Sequence, residues 1–177
     1  MPSAWHFKYI EDPAEGTSRA LDLPPPLRPA VATRLVGDAS SSPRMLALVD
    51  SGSERTLAAP GLARAIGVDL SDAVEVTLGI GGNTRRVRFA EVTVQLYQDV
   101  LNDEQEALAE WRCDVGFFST WDPPWSMVLG RAGFFDQFTT TFHGDLAAMV
   151  VEPYDAFDER WPPAVEVVND RQPRFRP

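Results

Sequence analysis

The apolar run Met45-Leu46-Ala47-Leu48-Val49 ends in Asp50-Ser51-Gly52, and a strand that must stop at a small carboxylate constrains the fold more than any other stretch of the chain. Apolar runs of this length, bounded by turn formers, suit strands buried on both faces. Ser40-Ser41-Ser42-Pro43 opens the run and Gly52 closes it. An Asp held there has a low-dielectric wall behind it and a cleft before it, so its proton affinity follows whatever charge stands opposite. Ser51 adds a hydroxyl that can bond backbone or a partner chain. Gly52 lets another backbone approach without a Cβ in the way. Taken alone, the tripeptide reads first as a strand followed by an Asx-type turn.

Two later segments change that balance. Residues 76–89 carry strand formers on both sides of Gly79, Ile80, Gly81 and Gly82, which predicts a hairpin whose tip can close over a cleft. Met127-Val128-Leu129-Gly130-Arg131 predicts a second buried strand, with a short helical stretch over residues 132–138. In this order the three segments resemble the retropepsins, the single-domain aspartic proteases of retroviral type. Residues 28–37 resemble the family's first strand, and the resemblance covers roughly residues 29–152. Ser51-Gly52-Ser53 stands where Thr-Gly-Ala is commoner, with the hydroxyl kept.

The resemblance implies an all-β fold, a closed barrel or sandwich with a glycine-rich flap hairpin and one or two short helices. It makes Asp50 the catalytic carboxylate, Ser51 the hydroxyl that steadies paired active-site loops, and Gly52 an acceptor of substrate backbone. Gly79, Ile80, Gly81 and Gly82 become the flap over the substrate. Glu54 stands where the family places a carboxylate against the Arg of its Gly-Arg motif, so Glu54 and Arg131, with Gly130, are expected as structural support, and loss of Arg131 should cost folding or dimerisation. Trp125 and Val128 fall at the family's pocket wall and are expected to shape apolar subsites; the plainer reading of Trp125 is a tryptophan that packs a rigid loop. No cofactor and no metal are implied.

Proteolysis of this type needs two aspartates sharing one proton, and no second Asp here is followed by Ser or Thr and then Gly. The second carboxylate must then be Asp50 of another copy, which predicts a two-fold homodimer acting on a peptide or protein substrate. The competing expectation is a non-catalytic protein-interaction module built on the same fold.

A formal charge of −10 argues against nucleic acid or an anionic membrane as partner. The basic cluster Arg85-Arg86-Val87-Arg88 reads as a solvated strand face, or else as a recognition surface for acidic substrate residues. The glycine cluster lacks the Lys-Ser or Lys-Thr of a phosphate loop and the third glycine of a dinucleotide loop. His6 and His143 are the only imidazoles, and neither adjoins a serine elbow or a paired-histidine helix. The single Cys113 and an N-terminus without an apolar leader predict a cytoplasmic protein, and no run approaches a membrane span.

The expected organisation is an N-terminal arm with a proline-rich linker at 1–28, the protease-like domain at 29–152, and a tail at 153–177. Within the arm, Trp5, Phe7 and Tyr9 alternate in strand fashion. Further expectations are a helix over residues 60–67, strands over 92–97 and 111–118, a solvated acidic insertion at 98–110, and a hairpin about His143-Gly144-Asp145. That hairpin falls where the viral enzymes interleave their termini to hold the dimer.

Overall fold

A computed structural model describes residues 4–12, 22, 24–80, 82–120 and 124–154. In chain order its strands are β1 (Trp5–Lys8), β2 (Ile10–Glu11), β3 (Leu27–Arg28), β4 (Ala30–Val36), β5 (Met45–Val49) and β6 (Leu57–Ala58). Helix α1 (Pro60–Ala65) follows, then β7 (Glu75–Ile80), β8 (Asn83–Tyr97), β9 (Ala109–Phe118), β10 (Met127–Leu129), β11 (Phe138–His143) and β12 (Ala148–Pro153). The fold is all-β in class. Six strands run in the order β4, β5, β10, β6, β9, β8, and β8 returns to pair with β4, so the sheet closes into a barrel. Closure removes the open edges that would otherwise invite pairing with other chains.

The predicted acidic-ended strand is β5, where Met45, Ala47 and Val49 are buried and Leu46 and Leu48 are half-buried. Strand β8 is the long member, with fifteen residues. Its first part carries β7 as a hairpin and its last part, Thr93 to Tyr97, closes the barrel against β4. The strand expected at 92–97 is therefore the far end of a longer one. Inward side chains of the barrel, among them Leu35, Val94, Leu96, Val115, Phe117, Met127 and Leu129, belong to one buried cluster. Each such burial contributes about 1.5–3 kcal/mol.

The N-terminal arm joins this core. β1 pairs antiparallel with β12, which also pairs with β11, and Trp5 and Phe7 are buried in the main cluster. Trp5 meets Phe138 edge-to-face at 6.1 Å, and Phe138 meets Trp111 at 4.9 Å. Pro24 to Pro26 lead into β3, which pairs with β2, and Arg28 bonds Asp12 at 2.9 Å.

Helix α1 has proline in its first turn, and Gly67, at φ +75°, lies just past its end. The second expected helix is absent: Ala132 bridges Arg55, residues 133–137 form consecutive turns, and Phe138 opens β11. Gly133 interrupts a helix there, since it sits at φ +102°, and a Cβ on it would also lie 2.7 Å from the Thr56 hydroxyl. Asp136 then accepts the Gly133 N–H at 3.1 Å, and Trp111 donates its indole N–H to the Gly133 carbonyl. The 98–110 insertion is largely exposed, as expected, and its last two residues belong to β9. It is clipped to the barrel by Arg44, whose guanidinium donates to the carbonyls of Asp99, Asn102, Asp103 and Gln105 and stacks on Tyr97 at 3.7 Å. Among the described residues no helix is long and apolar enough to cross a membrane. The tail expectation falls, beyond Tyr154, on residues outside those described, as do Trp121, Asp122 and Pro123.

Candidate active site

Asp50 stands at the end of β5 because β10 runs parallel beside it and stops at the same level, Leu129 opposite Val49. The Asp50 N–H donates to the Leu129 carbonyl at 3.0 Å, which ties the start of the Asp50 loop to the Gly130-Arg131 segment. The loop turns at once: the Asp50 carboxylate accepts the Gly52 N–H at 2.9 Å, and the Ser53 N–H donates to the Asp50 carbonyl at 3.1 Å. An Asx turn is thus present at the strand end. Asp50 is half-buried, while Ser51 and Gly52 are exposed.

From Ser53 to Thr56 the chain crosses over residues 130–132. Arg131 N–H donates to the Ser53 carbonyl at 2.9 Å, Ala132 N–H to Glu54 at 3.0 Å, and Thr56 N–H to Ala132 at 3.0 Å. The approach is so close that a Cβ on Gly130 would lie 2.2 Å from the Arg55 carbonyl oxygen, so glycine is required there on steric grounds. Thr56 sits fully buried at the centre, donating its hydroxyl to the Ala132 carbonyl at 3.0 Å and accepting the Gly130 N–H at 3.2 Å. Sequence reasoning missed Thr56. Its signal was a hydroxyl residue just before the apolar β6, a position that only a partner segment far along the chain gives meaning.

The expected pair of Glu54 and Arg131 is present at 3.4 Å. Both side chains are well exposed in the single chain, so the pair itself contributes on the order of 0–1 kcal/mol at most. The backbone crossing holds the two segments.

The glycine hairpin forms as expected, with Ile80 paired to Asn83 across a two-residue turn. Gly82 takes φ +81°, a conformation that favours glycine, and Gly79 is exposed; Gly81 lies outside the described residues. At the hairpin's base Val76, Leu78, Val87 and Phe89 pack with Leu57 and Phe118 in a small cluster separate from the main core. Leu57 lies opposite Val128 in the β6–β10 pairing. Leu57 thus links the hairpin's base to Val128 of β10, and β10 in turn runs beside β5, whose end carries Asp50. Trp125 is buried, at 5% exposure, and Val128 is half-buried.

Among the described residues no group of three or more metal-ligating side chains converges. No family model matches the chain, and no curated protein matches it.

Proposed function

We propose that this chain is an aspartic endopeptidase of retropepsin type, working as a two-fold homodimer in which each copy supplies one Asp50. The observation that carries the reading is the crossing at the barrel end, where Asp50 and Gly130-Arg131 are tied together, on a wall whose Leu57 packs against the base of the glycine hairpin. In the dimer one Asp50 carboxylate, ionised, draws a proton from water while the other, protonated, hydrogen-bonds the scissile carbonyl. The water oxygen adds to that carbon, the C–N bond breaks, and the proton passes to the leaving amine. Because one proton must be shared between the two carboxylates, cleavage is expected to be greatest on the acid side of neutral. In this reading Ser51, exposed beside Asp50, bonds the opposite loop, and Gly52 receives substrate backbone.

A second reading, a barrel kept for protein association without catalysis, is favoured by one observation: β1 is already paired with β12 of its own chain, so the terminal sheet of the viral type is not free to be shared. One experiment separates the two. Sedimentation over a range of concentrations is run beside peptide-library cleavage from about pH 4 to 7, for the natural chain and Asp50→Asn. Self-association with Asp50-dependent cleavage supports the protease. A monomer that cuts nothing supports the association module.

A further inference from the structure

We propose that Arg55 selects an acidic side chain in the peptide that crosses the Asp50 loop, an inference that rests on the endopeptidase reading. Arg55 is exposed and lies between the Asp50 turn and Leu57. Its guanidinium stands 6.0 Å from the ring centroid of Phe89. Phe89 and Val87, two apart on β8, share one strand face, and register places Val76, Leu78 and Arg85 on that same face. This is the face that packs on Leu57. A peptide held between the hairpin and the Asp50 loop therefore runs past Leu57 and meets Arg55 at the end of that apolar patch.

The charge on Arg55 is available where its neighbours' charges are committed. Arg131 pairs with Glu54, Arg86 and Arg88 with Glu75, and Arg112 with Glu91 at 2.7 Å. Among the described residues Arg55 makes no ion pair. Beside it opens a cavity of about 270 Å³, also lined by Arg112 and by the carboxylates Glu91, Asp114 and Asp136. Glu91 pairs with Arg112 and Asp136 only accepts an amide N–H, so that wall carries more acid than base, and the contact proposed is with the guanidinium over Phe89. A molecule of net charge −10 repels an acidic peptide at long range, so its attraction must come from a local cation. A guanidinium fork on an aromatic ring offers two parallel N–H donors to a carboxylate.

The test uses peptide pairs identical except for Glu or Gln at one position, scanned across the residues flanking the cleaved bond. For the natural chain the Glu:Gln ratio of kcat/KM should reach about tenfold at one position. Arg55→Lys should keep part of that ratio, and Arg55→Glu should bring it below one while favouring Lys-containing peptides. Binding of the same peptides to Asp50→Asn, by fluorescence anisotropy with and without Arg55→Glu, gives a readout independent of cleavage. Asp50-dependent cleavage whose Glu:Gln ratio ignores Arg55→Glu overturns the role of Arg55 and leaves the protease reading standing. Arg55-dependent binding of the Glu peptide without any cleavage supports the recognition and overturns the protease. Neither cleavage nor Arg55-dependent binding overturns both.

Discussion

Asp50 is the residue on which catalysis would rest, and its surroundings make a clean substitution possible. Asn keeps an oxygen for the Gly52 N–H, so Asp50→Asn should melt close to the natural chain while cleavage falls by about a thousandfold or more in a peptide assay. Cys113 offers a different residue-scale check. Burial, reinforced by Asp136, Asp114 and Glu91, pushes its thiol from an ordinary value near 9 up to about 12. Below pH 9 both folded and unfolded chains hold the proton, so this group adds no slope. Between about 9 and 12 the unfolded chain has lost it and the folded chain has not, so stability falls as pH rises. Urea midpoints at pH 8 and 10 should therefore diverge more for the natural chain than for Cys113→Ala. A thiolate-selective reagent should label Cys113 slowly until the chain is unfolded.

At the scale of elements, the crossing of residues 53–56 over 130–132 is the joint that fixes Asp50. Thr56→Val fills the same space but strips the buried Gly130 N–H of its acceptor, at a cost of about 1–3 kcal/mol in urea unfolding; Thr56→Ser should recover most of it. Strand and hairpin patterns were legible here because they are local. The run at 45–49, the glycine hairpin and the strand at 127–129 each carry their own periodicity and turn formers. The turns at 133–137 were not legible, because the left-handed Gly133 packs against Thr56, far away in sequence. The same holds for the Arg44 clip, whose carbonyl partners begin 55 residues later. The partners Glu54 and Arg131 were readable only through the family resemblance, and nothing local gave Arg55 or Thr56 a role without their distant partners.

For the whole molecule, the N-terminal strand is part of the same packed body as the barrel. Trp5→Ala should cost about 3–5 kcal/mol, and a chain lacking residues 1–11 should lose cooperative thermal unfolding, because Met149, Val151 and Phe138 would lose their cover. A truncated chain that melted as sharply as the full one would show that the barrel stands without β1. Two pairings give the topology a further meaning. β10 is the stave between β5 and β6, and β12 is the partner of β1, so the early strands wait for residues 127–153 before their wall is whole. During synthesis the Asp50 loop thus stays unset until residues 127–129 have left the ribosome, and on the endopeptidase reading a half-made copy would carry no cutting centre to turn on its own nascent neighbours.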